Sequence, residues 1–346
     1  MLYPLTFQPI FKERVWGGRE LERLYHKALP PGLRVGESWE ISDRPGDVSI
    51  ITNGPLAGRD LHWLVKNHPA QLFGQTNAAT RPPNHRTRTA ASSTLDPRPP
   101  TPSHFPLLIK ILDAREKLSL QVHPPAKKAA QLGGEPKTEL WYVAHAAPNA
   151  ELYVGLKRGV TRQEFEKKTR SGSVADCFHR LKVREGDALF LPSGRVHALG
   201  AGLVIFEIQQ NSDTTYRVFD WNRLGLDGKP RELHIAESLA SIDFEDFEPK
   251  LVPSKFTGGG GSFNTRHLVQ HSLFTVDCCW ASRDVHEPHA GPHLQILGLL
   301  KGNLEITAGD ISVSLTPGQF CLLPAVTESP SIRYKSNSVF LRIVPG

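Results

Sequence analysis

The sequence predicts a mainly β chain folded as two small barrels with a few short helices. Three observations carry this: many short β-type runs, Gly/Pro turns between them, and one internal repeat. The runs include Pro106–Leu112, Glu139–Val143, Ala188–Leu191, Leu203–Gln209, Leu294–Leu299 and Ile311–Leu315. Turns such as Arg184-Glu185-Gly186-Asp187 separate them. Helices are a minority. Thr161-Arg162-Gln163-Glu164 is a capping box that opens one toward Arg170, and Glu20–Tyr25 and Leu61–Asn67 are shorter candidates. The repeat pairs Glu185-Gly186-Asp187-Ala188-Leu189-Phe190-Leu191-Pro192 with Pro317-Gly318-Gln319-Phe320-Cys321-Leu322-Leu323-Pro324. In both, a Gly turn feeds a short apolar strand that stops at Pro. Five residues beyond the first Pro stands His197; five beyond the second stands Ser329. Two related barrels are expected, with only the first keeping a metal-ligating side chain at this position.

A chain of 346 residues has room for such a pair. Thr76–His104, rich in Pro, Thr, Ser, Arg and Asn, reads as a flexible insertion, and Gly258–Ser262 as a flexible linker. The expected division is residues 1–248, a Gly-rich connection over 249–266, and a C-terminal unit over 267–346. The formal charge of +6 is mild and lies partly in that insertion, where Arg81, Arg86, Arg88 and Arg98 face only Asp96. Aromatic interleaving of the kind that stacks nucleic-acid bases is missing, so the balance suits a small anionic substrate better than a nucleic acid. Four cysteines without C-x-x-C spacing predict buried free thiols. No apolar run is long enough to cross a bilayer, and Met1-Leu2-Tyr3-Pro4 does not open a secretory signal. A cytoplasmic protein is expected.

Chemistry concentrates in the first unit. In Leu118-Ser119-Leu120-Gln121-Val122-His123-Pro124, a strand would put Ser119, Gln121 and His123 on one face and Leu118, Leu120 and Val122 on the other. That polar face either meets water or lines an interior where a metal or polar ligand satisfies it. In Lys137-Thr138-Glu139-Leu140-Trp141-Tyr142-Val143 a carboxylate opens an apolar run; it either caps a strand edge in solvent or has a buried partner. His197 follows a Pro/Gly turn and is by itself a core histidine or a ligand. Two imidazoles, a carboxylate and an amide oxygen would form a mixed N/O site with open positions, suited to zinc or another divalent ion. Downstream, Phe206-Glu207-Ile208-Gln209-Gln210-Asn211-Ser212-Asp213-Thr214-Thr215-Tyr216-Arg217 ends a β-type run in a guanidinium. This is either turn chemistry or an anion-holding Arg.

Together these segments resemble the type I mannose-6-phosphate isomerase family, particularly its short bacterial form. Phe11-Lys12-Glu13-Arg14-Val15-Trp16-Gly17-Gly18, Gly36-Glu37-Ser38-Trp39-Glu40 and Gly194-Arg195-Val196-His197-Ala198-Leu199-Gly200 carry the resemblance too, in the same order up to about Arg223. The resemblance implies two cupin-type (jelly-roll) β-barrels and a zinc enzyme interconverting mannose 6-phosphate and fructose 6-phosphate. It implies Gln121, His123, Glu139 and His197 as metal ligands and Arg217 as a catalytic arginine. Lys110 and Lys137 match pocket lysines, and Ser119 would lie close by. The chain departs from the family in Lys137-Thr138-Glu139, in Tyr216-Arg217-Val218-Phe219-Asp220 and in the Thr76–His104 insertion.

Aldose–ketose isomerisation passes through a cis-enediol and needs a proton shuttle; Asp213, Lys137 and metal-bound water are unranked candidates. Lys110 and Arg217 would meet phosphate or oxyanion charge. Competing expectations are an isomerase of another phosphosugar, a non-catalytic cupin that binds sugar, and an iron oxygenase using His123, Glu139 and His197. The tail cluster His286, His289 and His293 imitates a metal site, but Ser329 at the repeat position points to a structural second barrel.

Overall fold

The computed structural model of the chain describes residues 1–74, 102–257, 262–288 and 293–346. Most of the expected Thr76–His104 insertion, the glycine run 258–261 and His289 lie outside the described residues.

The first unit contains β1 Ile10–Gly18, β2 Val35–Ile41, β3 Leu107–Ala114, β4 Leu120–Val122, β5 Glu139–Ala146 and β6 Glu151–Leu156. It continues with β7 Phe178–Lys182, β8 Ala188–Leu191, β9 His197–Leu199, β10 Leu203–Gln210 and β11 Tyr216–Phe219. These make a six-stranded sheet, β1-β2-β3-β10-β5-β8, and a five-stranded sheet, β11-β4-β9-β6-β7, with antiparallel neighbours. The second unit has β12 Phe263–His271, β13 Phe274–Ala281, β14 Val285–Pro288, β15 Gln295–Lys301, β16 Leu304–Ala308, β17 Ile311–Leu315, β18 Phe320–Leu323, β19 Ser331–Tyr334 and β20 Ser338–Pro345. Its sheets are β12-β13-β20-β15-β18 and β14-β19-β16-β17.

The two units share one plan. The outer edge β8-β5-β10-β3-β2 is matched by β18-β15-β20-β13-β12, and β4-β9-β6-β7 by β14-β19-β16-β17. Register makes the match residue by residue. Glu139 pairs with Leu191, and Gln295 with Leu323. His197 pairs with Gln121 and Val154, and Ser331 with Pro288 and Thr307. Topology therefore puts Ser331 at the place of His197. Counting from the prolines gave Ser329, because the second turn is two residues longer before its strand begins.

Alternation explains how charge enters the first barrel. Along β3, Leu107, Ile109 and Ile111 face a core shared with the second unit, so Lys110 and Leu112 point inward. Along β10, Val204, Phe206 and Ile208 face out, which turns Glu207 in; along β5, Leu140 and Tyr142 do the same for Glu139 and Trp141. Both faces of these strands are buried, hence the continuous apolar runs. β4 is shorter than expected. Leu120 and Val122 enter the core as predicted, but Leu118 precedes the strand and packs with Trp16 and Trp141 instead. A Cβ on Gly17 would lie 2.5 Å from Gly36 N, so glycine lets β1 lie tightly against β2 and brings Arg14 and Trp16 over the barrel mouth.

The helices at Glu20–Tyr25 and Leu61–Asn67 have the expected bounds. At Arg162–Arg170, Thr161 Oγ1 accepts the Glu164 N–H at 3.2 Å, while the Glu164 carboxylate turns to Lys168 at 3.0 Å. Only one half of the capping box forms.

Candidate metal centre

Glu139 opens β5 in one sheet of the first barrel; His197 opens β9 in the other, opposite Gln121, and His123 follows directly after β4. All three ionisable side chains are buried. His123 Nε2 lies 3.4 Å from Glu139 Oε1, and His197 Nε2 lies 3.6 Å from Glu139 Oε2. The other ring nitrogens are committed: His123 Nδ1 donates to Thr214 O at 2.8 Å and His197 Nδ1 to Arg195 O at 2.9 Å. Nδ1–H tautomers leave a lone pair on each Nε2, aimed at the carboxylate.

That geometry decides what the site can hold. Lone pairs of two imidazoles facing two carboxylate oxygens repel one another unless a cation sits among them. Both Glu139 oxygens are buried and lack a well-directed hydrogen bond. The Gln121 amide end reaches 3.3 Å from His197 Nε2, and a rotation of its terminal bond brings oxygen to that point. Two nitrogens, a carboxylate and an amide oxygen fit a zinc-class ion with room for further ligands. Lys137 also contacts Glu139 Oε1 and stands 3.4 Å from His123 Nε2.

Electrostatics follow from this packing. Burial, reinforced by His123, pushes His197 down to about 3, and burial with Lys137 lowers His123, so both rings are neutral and able to ligate. Burial would raise Glu139, but Lys137 and the imidazoles hold it well below the usual carboxylate range. Burial would lower Lys137, yet Glu139 and Glu207 raise it. Glu207 itself is raised by burial and by Glu139.

A cleft of about 560 Å³ opens above the centre. Ser119, Gln121, Lys137, Lys110, Asp213 and Arg217 all line it. Arg217 is half-buried; its Nη1 donates to Glu232 O at 2.7 Å, and its Nε is buried without a partner among the described residues. Burial and the neighbouring Arg231 lower its pKa. Lys110 differs. Its Nζ stands 3.5 Å from Glu207 Oε2, 3.7 Å from Glu37 Oε2 and 4.9 Å from the centre of the Trp39 ring. Burial alone would raise Glu37, but Lys110 and Arg14 hold it at about 2. Asp213 is exposed at the rim.

Arg14, Glu37, Glu207 and Arg231 also line the cleft, and sequence reasoning assigned none of them a role. The first three lie inside the quoted motifs, which were the available signal; Arg231 sits in a polar loop that carries none. Asp220 accepts from Arg231 Nε and Nη2, both at 2.6 Å, and aims that guanidinium at the cleft. Among the described residues the second barrel has no such centre, since Gln295, Ser331 and Pro288 stand where Glu139, His197 and Gln121 stand in the first.

Comparison with known proteins places these observations in a family. The family model "Phosphomannose isomerase type I, catalytic domain" matches residues 5–135. The chain is 34% identical over 327 residues to the Bacillus subtilis protein named "Probable mannose-6-phosphate isomerase GmuF", covering 94% of each. It superposes on the crystal structure of the mannose 6-phosphate isomerase from Bacillus subtilis with a TM-score of 0.83 and 28% identity, over 99% of both chains. A zinc-bound mannose 6-phosphate isomerase superposes at 0.71 with 18% identity, over 99% of this chain and 100% of that one; at that identity it speaks for the fold alone.

Proposed function

Because this chain belongs to the type I phosphomannose isomerase family, we propose that it interconverts mannose 6-phosphate and fructose 6-phosphate through a cis-enediol. The observation that carries this reading is the convergence of two Nε2 lone pairs on a buried carboxylate, beneath a cleft rich in cations.

Gln121, His123, Glu139 and His197 would hold the zinc ion. When bound, zinc acts as a Lewis acid that polarises the carbonyl and stabilises developing oxyanion charge. Lys137, whose charged form Glu139 and Glu207 favour, donates a hydrogen bond or proton to a substrate oxygen. Asp213, exposed at the rim and without a salt bridge among the described residues, takes the proton from one carbon and returns it to the next. Arg217, with Arg231 beside it, holds the phosphate or the enediol oxygens. Lys110, already shared between Glu37 and Glu207, orients sugar hydroxyls together with Ser119.

Residues 1–248 form the catalytic unit; the connection expected over 249–266 ends at Ser262, because β12 opens at Phe263 and starts the barrel without metal. A doubly charged phosphosugar does not diffuse across membranes, and the four cysteines are buried free thiols, so the protein works in the cytoplasm. No helix among the described residues is long and apolar enough to span a membrane.

A coupled assay on mannose 6-phosphate tests the reading. Activity disappears on chelation and returns with zinc, and His197→Ala abolishes both bound metal and turnover. Full activity in chelated enzyme would refute it.

A further inference from the structure

A second group of ligand-type side chains lies outside the cleft. Asp43, in a two-residue ladder with Asp47–Val48, is only 1% exposed. His62, in the first turn of the Leu61–Asn67 helix, brings Nδ1 to 3.1 Å from Asp43 Oδ1 and 3.4 Å from Oδ2. His104 brings Nδ1 to 3.7 Å from Oδ2, and the two rings are tilted with centroids 5.0 Å apart. Three segments far apart in sequence thus aim two imidazole nitrogens at one carboxylate. Ligating atoms of all three lie within 4.8 Å of one another.

Among the described residues, these two half-exposed histidines are the only ion-pair partners of Asp43. Arg44, next to it, is committed to Glu135 at 2.7 Å. A buried carboxylate without a fixed cation is expensive unless something supplies positive charge. Its orientation is nonetheless fixed: Oδ2 accepts the Phe105 N–H at 2.7 Å, and the Asp43 carbonyl accepts from Asn211 Nδ2 at 3.2 Å. A tetrahedral ion bound at about 2.0–2.2 Å separates its ligands by roughly 3.3–3.6 Å. The observed 3.1–3.7 Å spans that range and matches the 3.4 and 3.6 Å of the catalytic centre.

We propose that Asp43, His62 and His104 form a second metal site that takes a zinc-class divalent d-block cation. Two imidazoles and one carboxylate favour zinc, nickel or cobalt over magnesium or calcium, which prefer all-oxygen sets. The rings are 42% and 51% exposed, so the ion enters from solvent and keeps water in its open positions. Bound there, it ties the Leu61–Asn67 helix to the chain at His104, through side chains that do not line the cleft.

The test is equilibrium dialysis of the full chain, catalytic ion included, against micromolar free zinc, with metal per chain counted by mass spectrometry. His62→Gln and His104→Gln each bind one zinc fewer than wild type and keep isomerase turnover within about two-fold. Variants that bind as much zinc as wild type overturn the proposal, as does a wild type holding a single ion. Should a variant not fold, deuterium exchange at the imidazole C2 of wild type decides. Zinc slows exchange at His62 and His104 if they are ligands; exchange unchanged by zinc at both overturns it.

Discussion

At the scale of residues, this molecule sorts its cations by their partners. Lys110 is enclosed by two carboxylates and Lys137 is fastened to Glu139, whereas Arg217 has one backbone carbonyl and a buried Nε without a partner among the described residues. In the proposed reading substrate completes that guanidinium, and bidentate donors aimed at developing charge are worth several kcal/mol in a site shielded from water. Arg217→Ala is therefore expected to lower kcat/KM by about 10²–10³. Metal content should stay at the wild-type value, because Arg217 meets Gln121 through the β11–β4 backbone ladder, which an alanine keeps. Measuring zinc and steady-state kinetics on the same preparation checks both halves. Loss of metal in this variant would mean that the arginine supports the centre instead of the substrate.

At the scale of elements, local signals specified local structure. Thr161→Ala removes the hydroxyl that accepts the Glu164 N–H, and should cost about 1 kcal/mol in urea unfolding with catalysis untouched. A cost near zero would mean that the cap adds nothing once the helix is packed. Such caps, and the Gly/Pro turns between strands, are readable because cause and effect lie within four residues. The strands themselves were legible as apolar runs, but their inner and outer faces were not. In β3 every residue is buried and its two charges, Lys110 and Asp113, fall on opposite faces, so its pattern does not tell which side faces the cleft. His123, Glu139 and His197 could be picked from their motifs. Glu37, Glu207 and Arg14 could not be given a role, since their place depends on which strands become neighbours in the six-stranded sheet. The shift from Ser329 to Ser331 has the same origin: a count along the chain cannot see where the second strand begins, whereas the ladder can.

At the scale of the whole molecule, the two barrels share a core. The outward faces of β3, β10 and β5 pack on those of β13, β20, β15 and β18, with Phe206 and Phe320 ring centroids 5.3 Å apart. Leu5 exchanges two backbone hydrogen bonds of 2.8 Å with Leu322, so the chain pairs with the second barrel before entering β1 of the first. Arg266, on β12, donates to the carbonyls of Gly186, Val252 and Pro253. The second barrel thereby buries the back of the sheet whose front carries Lys110, Glu139 and Glu207, a support role that needs no metal of its own. Phe206 is fully buried and also lies 5.7 Å from Tyr25, so Phe206→Ala opens a cavity between the barrels and should cost about 3–5 kcal/mol. The loss should fall on both units together. In native-state hydrogen exchange, the slowest amides of β5 and of β15 should lose protection by the same free energy. Protection that falls in β5 while β15 keeps its wild-type value would show that the barrels unfold independently, and that the second supports the catalytic sheet without depending on it.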